Sequence, residues 1–268
     1  MRRVLDKPCV LVFSGLDPSG GAGIQADIEA IGALGAHALP VITVLTVQDN
    51  DRVLALYPVD AAVITQQAHA LMAKMKIAAV KIGALGNRAN AEAIVALVTQ
   101  LRLVQPDLPV VLDPVLVSGH GDALVAGDAV TAVKALCGVA SLITPNLPEA
   151  ASLSGIASDG AEQAQALLRL APHFLHKGGH GEGATVVNHW LHVAGRRSWR
   201  WPRFDGAFHG SGCTLAAAIA AGLAQGRTME HAIDEAQAYC YAALGAAYCI
   251  ADGQLIPQRT SLWHKETT

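Results

Sequence analysis

A run of small residues with one cysteine, His209-Gly210-Ser211-Gly212-Cys213-Thr214, comes directly before an Ala-rich segment of helical character. Small residues let backbone N–H groups approach a phosphate, and the positive end of a helix dipole favours negative charge there. A thiol in the first helical turn is predicted to have a lowered pKa. The pattern therefore indicates an anion site in which Gly210, Ser211 and Gly212 stabilise a transferring phosphoryl group, while Cys213 acts as general base toward a hydroxyl. The structural alternative is an ordinary loop-to-helix junction with a buried cysteine.

Polar side chains also follow several predicted strands, at the edge where open α/β sheets bind ligands. Asp113 follows Val110-Val111-Leu112, and its carboxylate could hold magnesium directly or through water. Glu149 lies three residues after Asn146, so both face one side of a helix and could act together near a metal-bound phosphate. Lys177 could neutralise phosphate charge. The alternatives are a helix cap for Asn146 and a solvated strand end for Lys177.

The first predicted turn, residues 17–23, is rich in glycine. Its glycines do not fit G-x-G-x-x-G, and it lacks the Gly-Lys-Ser/Thr ending of a P-loop. A dinucleotide or Walker nucleotide site is therefore not expected. We expect the turn to fold over a small substrate, with Asp27 on the following helix facing inward; a tight turn with a solvated Asp27 is the alternative.

Short β-branched runs alternate with Ala/Leu-rich amphipathic segments, which predicts repeated βα units and a mostly parallel sheet. A change of pattern after Lys177 predicts an antiparallel edge hairpin with a turn at Gly195. The tail from Gln254 is predicted to be an irregular surface segment. The predicted strands are 9–14, 39–46, 77–82, 109–113, 140–144, 173–177, 184–193 and 198–204, and the predicted helices are 23–35, 60–75, 88–103, 124–137, 146–154, 160–170, 213–224 and 228–249.

The composition fits one α/β domain over residues 1–268, since 52% hydrophobic residues can bury a substantial core. A net charge of −3 argues against a nucleic-acid or membrane surface, and the arginines at 196, 197, 200 and 203 are expected to form a solvated edge. The five cysteines include no CxxC pair, which favours the reducing cytoplasm. Apolar runs are too short to span a bilayer.

Several segments together resemble the bacterial hydroxymethylpyrimidine/phosphomethylpyrimidine kinases of thiamine biosynthesis, over nearly the whole chain. The segments are Ser14-Gly15, Asp17-Pro18-Ser19-Gly20-Gly21-Ala22-Gly23-Ile24-Gln25-Ala26-Asp27, Val41-Ile42-Thr43 with Gln48, Lys81-Ile82-Gly83, Asp113-Pro114-Val115, Ile143-Thr144-Pro145-Asn146-Leu147-Pro148-Glu149-Ala150, Lys177-Gly178-Gly179-His180 and His209 to Thr214.

The resemblance implies a ribokinase-like three-layer sandwich and an ATP- and Mg²⁺-dependent transfer to the hydroxymethyl group of an aminopyrimidine. In bifunctional members a second transfer gives the pyrophosphate, and members are commonly homodimers. By the same resemblance Cys213 stands where sugar kinases of the wider group carry an aspartate base. The implied substrate-binding residues are Gly15, Asp27, Gln48 and Val115; the implied anion hole is Gly210 to Cys213; the implied ATP and magnesium residues are Asn146, Lys177, Asp113 and Glu149.

The chain departs from that family's pattern in three places. Ala84 replaces a Met that many members carry after Lys-Ile-Gly, which predicts a looser pocket wall. Gly206-Ala207-Phe208-His209 replaces Asn-Thr-His, and the segment from Lys177 to Asn188 is short, leaving less material to cover ATP. The alternatives are a pyridoxal/pyridoxine kinase, a hydrolase with Cys213 as nucleophile, and a non-catalytic pyrimidine-binding protein.

Overall fold

In a computed structural model that describes residues 6–116, 124, 128–158, 160–181 and 183–260, nine strands form one sheet. Their order across the sheet is β3-β2-β1-β4-β5-β6-β7-β8-β9. The strands are β1 (Cys9–Leu16), β2 (His37–Gln48), β3 (Val53–Pro58), β4 (Ile77–Ile82), β5 (Val110–Leu112), β6 (Leu142–Ile143), β7 (His173–His176), β8 (Thr185–His192) and β9 (Gly195–Pro202).

The six strands from β2 to β7 across the sheet pair in parallel, and the strands at both edges are antiparallel. The β8–β9 hairpin pairs His192 with Gly195, which confirms the predicted edge hairpin. The strand β3 was not predicted; it pairs Val53 with Gln48 and Pro58 with Val44. Its antiparallel return against β2 extends the opposite edge of the sheet.

Eight α-helices are present among the described residues, and none of them is long and apolar enough to cross a membrane. The helices are α1 (Gly23–Ala33), α2 (Ala61–Met72), α3 (Arg88–Val104), α4 (Ala129–Cys137), α5 (Leu147–Ser154), α6 (Ala161–Leu168), α7 (Ser211–Ala224) and α8 (Met229–Gly245). Every predicted helix is present. The first residues of the predicted 124–137 helix lie mostly outside the described residues, and α4 begins after its cap, Asp128.

The core lies in two layers, one on each face of the sheet, because side chains of a strand alternate between faces. On β1, Leu11 and Phe13 pack with α2 to α6, whereas Val10 and Val12 pack with α1, α7 and α8. Two helical layers around one mostly parallel sheet confirm the predicted three-layer α/β architecture.

The C-terminal tail differs from the prediction. Gln254, Ile256 and Arg259 are 7%, 2% and 1% exposed, so residues 254–260 are docked and not an irregular surface segment, while residues 261–268 of the prediction lie outside the described residues. Its backbone pairs with two other segments: His209 N donates to Leu255 O at 2.9 Å, and Ile256 N donates to Tyr248 O at 2.9 Å. The prediction failed because both pairings are single bridges to other segments, which no local periodicity of the tail can indicate.

Candidate active site

The predicted site residues gather where the parallel strands end and where α7 begins. Lys177 N donates to Pro145 O at 2.9 Å, so the ends of β6 and β7 lie side by side. The start of α7 faces both β5 and β7, since a Cβ at Gly212 would lie 3.1 Å from Lys177 Nζ and 3.5 Å from Asp113 Oδ2. The expected meeting of separate turns at one sheet edge is therefore present in the structure.

One ionic cluster consists of Asp113, Lys177 and Glu149; we call it the Asp113 cluster. Lys177 Nζ lies 2.7 Å from Asp113 Oδ1 and 3.9 Å from Glu149 Oε2. Thr144 Oγ1 donates to Asp113 Oδ1 at 3.1 Å. The Lys177 side chain is only 14% exposed, so the alternative of a solvated strand end is wrong. Burial lowers the Lys177 pKa, but the two carboxylates outweigh it and the pKa is raised overall.

Asn146 and Glu149 are joined at the start of α5 by a capping box. Asn146 Oδ1 accepts from Glu149 N at 2.9 Å, and Glu149 Oε2 accepts from Asn146 N at 2.8 Å. The cap alternative for Asn146 is thus confirmed. Burial raises the Glu149 pKa to about 7, with Lys177 opposing the shift and Asp113 adding to it. Glu149 therefore titrates near neutrality and can change its charge when a cation approaches.

A second ionic pair, Asp27 with Lys81, is completely buried. Lys81 Nζ lies 2.8 Å from the Asp27 carboxylate, and both side chains are 0% exposed. The inward orientation predicted for Asp27 is confirmed, and its solvated alternative is wrong. Burial raises the Asp27 pKa, while the charge and hydrogen bond of Lys81 lower it. Without Lys81 this carboxylate would be an uncompensated buried charge.

Cys213 interacts electrostatically with members of both ionic groups, and the predicted lowering of its pKa is wrong. Burial raises the Cys213 pKa to about 11; Lys81 and the Gly23 amide oppose the shift, whereas Asp27 and Asp113 add to it. The positive end of the helix dipole alone would lower the pKa of a thiol in the first turn. Desolvation and two nearby carboxylates outweigh it, so the resting side chain is a neutral thiol.

The turn 17–23 and the loop 209–214 interlock at the start of α7. Asp17 accepts from Ser19 N and Ala22 N, both at 2.8 Å, and its Oδ2 lies 2.7 Å from His209 Nε2. Burial raises the Asp17 pKa, but the hydrogen bonds of His209, Ser19 and Gln48 outweigh it and hold the pKa below its usual range. Asp17 therefore organises the turn as an anion and ties it to the loop.

Gly210 is the cap residue of α7 and has a φ of +78°, a conformation that favours glycine. A Cβ there would overlap the Gly21 carbonyl oxygen and lie 2.8 Å from Ala22 Cα. α7 begins at Ser211, two residues before the predicted start, so Ser211 and Gly212 lie in its first turn. Their N–H groups are among those that an α-helix leaves without intrahelical partners.

The remaining predicted substrate residues lie around the end of β1 and at the end of β5. Gly15 is buried, and a Cβ on it would lie 2.9 Å from Val44 Cγ1 and 3.5 Å from Ala84 Cβ. Gln48 reaches the same turn by its hydrogen bond to Asp17. Val115 is half-buried, and its N–H donates to Asp113 O at 2.8 Å. Gly15 and Gln48 thus border the turn 17–23, while Val115 belongs with Asp113.

Three positions not assigned to the site from the sequence contact its predicted residues or the neighbouring loops. Lys81 could have been found as the one charge in the otherwise apolar strand β4. Arg203, expected on a solvated edge, instead donates to the carbonyls of Gly179 and Gly181, each at 2.8 Å, in the short loop after β7. Arg259, in the tail, gave no local signal.

Comparison with known proteins identifies the family of the chain. A model of the family described as phosphomethylpyrimidine kinase matches residues 17–257. The chain belongs to that family. It is therefore a phosphotransferase, and the family resemblance found in the sequence is confirmed.

The chain is 41% identical over 257 residues to hydroxymethylpyrimidine/phosphomethylpyrimidine kinase of Rhizobium meliloti (strain 1021), covering 91% of this chain and 93% of that one. A solved phosphomethylpyrimidine kinase from Clostridium difficile 630 superposes with a TM-score of 0.76 at 30% identity, covering 89% of this chain and 100% of that one. The ADP complex of Bacillus subtilis pyridoxal kinase gives a TM-score of 0.84 at 25% identity, covering 95% and 98%. These matches confirm the ribokinase-like fold class.

Proposed function

We propose that the protein transfers the γ-phosphoryl group of ATP to the hydroxymethyl oxygen of 4-amino-5-hydroxymethyl-2-methylpyrimidine, and then phosphorylates that phosphate to the pyrophosphate, in thiamine biosynthesis. The observation that carries this proposal is the position of the α7 start. Gly212 lies against Lys177 and Asp113 of the Asp113 cluster, and Cys213 interacts electrostatically with both Asp113 and the buried carboxylate of Asp27. A carboxylate accepts hydrogen bonds from an aminopyrimidine, while a cationic and carboxylate cluster suits phosphate and its metal ion.

In the transfer, the new O–P bond forms at the hydroxymethyl oxygen as the bond between the γ-phosphorus and its bridging oxygen breaks, and ADP leaves. The N–H groups from Gly210 to Cys213 would stabilise the charge on the transferring group, and Lys177 would neutralise phosphate oxygens. Asn146 would serve the nucleotide from the start of α5. These site assignments rest on the geometry of the two ionic groups and on the family.

The residues present fit a magnesium ion, which would neutralise the charge that develops on the phosphates. Magnesium takes hard oxygen ligands and is usually held by one or two carboxylates together with water and substrate phosphates. Asp113 and Glu149 would supply those carboxylates. No group of three or more metal-ligating side chains occurs among the described residues. This small protein contribution agrees with a site that the nucleotide completes.

The raised pKa limits what Cys213 can do as a base. At pH 7 the solution is about four pH units below the Cys213 pKa of about 11, so forming the thiolate costs about 5 kcal/mol at 1.36 kcal/mol per unit. Positioning and charge stabilisation therefore make the larger contribution, as is usual for phosphoryl transfer. Cys213 can accept the hydroxyl proton only as the thiolate, after its own proton has passed to solvent, and with this role we expect Cys213→Ala to lower kcat far more than it changes KM.

Product analysis tests the function. The purified protein is incubated with Mg-ATP and one of three substrates: the pyrimidine alcohol, its monophosphate, or pyridoxal. The products are separated by chromatography and identified by mass spectrometry. Pyrimidine pyrophosphate is the expected product. Monophosphate alone would limit the protein to the first transfer, and absence of any phosphorylated pyrimidine would refute the proposal.

Pyridoxal phosphate as the main product would instead favour a pyridoxal kinase, a candidate supported by the structural likeness to that enzyme. Ala84 offers a matched variant for this question, because it lies beside Gly15 where many relatives carry methionine. If the small side chain admits pyridoxal, Ala84→Met lowers pyridoxal turnover while pyrimidine turnover persists. Equal losses for both substrates would contradict a selective pocket wall.

We further propose that residues 1–268 form one kinase domain that works as a cytoplasmic homodimer. The five cysteines are all free thiols, which supports a reducing compartment. The edge formed by β2 and β3 exposes large apolar side chains, with Leu54 at 74% and Tyr57 at 60%. Such a patch suits a second copy of the chain. Light scattering after gel filtration should give twice the chain mass, and Leu54→Lys should reduce it.

A further inference from the structure

Arg259 is a fully buried arginine that reaches the active site from the C-terminal tail. Its residue exposure is 1%, and its guanidinium donates to three different elements. Nε donates to Thr214 Oγ1 at 2.8 Å, and Nη1 to Glu29 Oε2 at 3.1 Å. Nη2 donates to the Gly21 carbonyl and, more weakly at 3.5 Å, to the His209 carbonyl. One side chain therefore joins α1, the turn 17–23 and the loop 209–214.

These contacts fix peptide planes that carry functional N–H groups. In a trans peptide the carbonyl and the following N–H point in opposite directions, so holding one orients the other. By holding the Gly21 carbonyl, Arg259 orients the N–H of Ala22, which donates to Asp17 Oδ2 at 2.8 Å. Its weaker 3.5 Å contact with the His209 carbonyl restrains the peptide that carries the N–H of Gly210. Arg259 thus acts on both sides of the interlocked turn and loop.

The Thr214 hydroxyl extends this arrangement into α7. It accepts from Arg259 Nε and donates to Gly210 O at 2.8 Å, so the guanidinium is linked to the cap residue. A Cβ at Gly210 would also lie 3.0 Å from Arg259 Nη2. The guanidinium, the cap residue and the first turn of α7 form one close-packed unit.

The tail that carries Arg259 is itself held at several points. Leu255 N donates to Ala207 O at 2.8 Å, Gln258 N donates to Ala243 O at 3.0 Å, and Tyr239 Oη donates to the Arg259 carbonyl at 2.8 Å. The backbone around the guanidinium is therefore fixed independently of its side-chain contacts. A change of the side chain alone can leave the tail docked, which makes the role of the guanidinium testable.

We propose that Arg259 is a positioning residue for phosphoryl transfer: it holds the turn 17–23 against the loop 209–214, so that the N–H groups at the start of α7 face the transferring group. The inference rests on the proposed function of Gly210 to Cys213. It adds the tail to the active site without giving Arg259 any contact with substrate, because the guanidinium is fully buried and four of its five N–H donors are used by Thr214, Glu29 and the two carbonyls.

The test compares Arg259→Lys and Arg259→Gln with a control, Arg197→Gln. Arg197 also pairs with two carboxylates, Glu230 at 2.8 Å and Asp234 at 3.2 Å, but on the exposed β9–α8 surface. Because a misplacement of about 1 Å can cost about 100-fold in rate, we expect a loss of that order in kcat for Arg259→Gln. KM for the pyrimidine should change less than kcat, because Asp27 is held by Lys81 independently of Arg259. Arg197→Gln should keep the wild-type kcat.

Hydrogen exchange of the peptides covering residues 17–23 and 207–215 gives a second readout that needs no activity. It should accelerate in both Arg259 variants and stay unchanged in Arg197→Gln. Methylguanidinium should restore part of the kcat of Arg259→Gln, because it can replace the missing donors. Urea unfolding of each variant separates these effects from a general loss of stability.

Each outcome supports or refutes the positioning role of Arg259. Wild-type kcat and wild-type exchange in Arg259→Lys and Arg259→Gln would overturn the positioning role, as would equal losses of kcat and of ligand affinity. If Arg259→Gln does not fold, Arg259→Lys decides, since it keeps the charge but loses the fork geometry. If the wild type phosphorylates no pyrimidine, the proposed function fails, while the exchange of the two segments still shows whether Arg259 holds them.

Discussion

Replacing Gly210 with alanine should both destabilise the fold and remove activity, because two penalties meet at this residue. Its φ of +78° costs an L-residue about 1–2 kcal/mol. The new Cβ would overlap the Gly21 carbonyl oxygen and lie 2.8 Å from Ala22 Cα, and such overpacking costs about 1–3 kcal/mol. The free energy of unfolding should therefore fall by about 2–5 kcal/mol.

Gly226 provides a matched control at the other end of α7. Its φ is +79°, almost equal to that of Gly210, but a Cβ there would meet nothing within 4 Å. Gly226→Ala should lose only the backbone penalty of about 1–2 kcal/mol and keep full activity. The difference between the two variants in urea unfolding isolates the contact between the loop 209–214 and the turn 17–23.

Kinetics complete the comparison. In Gly210→Ala the backbone of the loop must move away from Gly21, which displaces the N–H groups that we assign to the anion hole. Loss of one such donor typically costs about 100- to 1000-fold in kcat. Equal unfolding free energies for Gly210→Ala and Gly226→Ala, or an unchanged kcat in Gly210→Ala, would refute the close approach and its assigned role.

Three further perturbations probe the charges of the site. Lys81→Met leaves Asp27 buried and unpaired and should lower the unfolding free energy by about 3–5 kcal/mol, as measured by urea titration. The double variant Lys81→Met/Asp27→Asn should recover part of this loss. If the losses of the two single variants simply add in the double variant, the pairing is contradicted. Because the Glu149 pKa is raised to about 7, folding stability from Glu149 is present below about pH 4.5 and declines as the pH rises through 7. Conversely, kcat/KM for Mg-ATP should rise with pH through 7, and Glu149→Gln should flatten both profiles; unchanged profiles would contradict the shift. Iodoacetamide should modify Cys213 slowly at pH 7, with a rate that climbs until about pH 11, as followed by peptide mass spectrometry; a plateau near neutral pH would show a lowered pKa instead.

The sequence predicted those parts of the fold and site that depend on local pattern. Strand-end polar residues such as Asp113 and Lys177 could be placed at one sheet edge, because parallel βα units bring strand ends together. The strand β3 was missed, since its residues follow a short turn and only pairing with β2 shows their role. Periodicity describes how a segment faces its own core, but it does not identify a distant partner.

Charges and pKa values were the least predictable part of the site for the same reason. The position of Cys213 at a helix start is local, and that position was predicted within two residues. The pKa of its thiol depends on Asp27, Asp113 and burial, which are set by three other elements. Lys81 and Arg259 likewise show their charge in the sequence, whereas their partners are known only once the chain is folded.

The pairing of Lys177 shows how the site can bind anions without carrying excess positive charge. Lys177 lies 2.7 Å from Asp113 and 3.9 Å from Glu149, so its charge is used to compensate two buried carboxyl groups. If Lys177 turned toward a phosphate and no other cation were present, the two carboxyl groups would be left close together and unpaired. The free energy lost in this way would exceed what one phosphate contact returns. In the proposed function, a magnesium ion beside the carboxylates would remove this conflict and leave Lys177 free to face the phosphate. The proposed site would therefore favour the metal–nucleotide complex over the free nucleotide, through the chain's own ion pair.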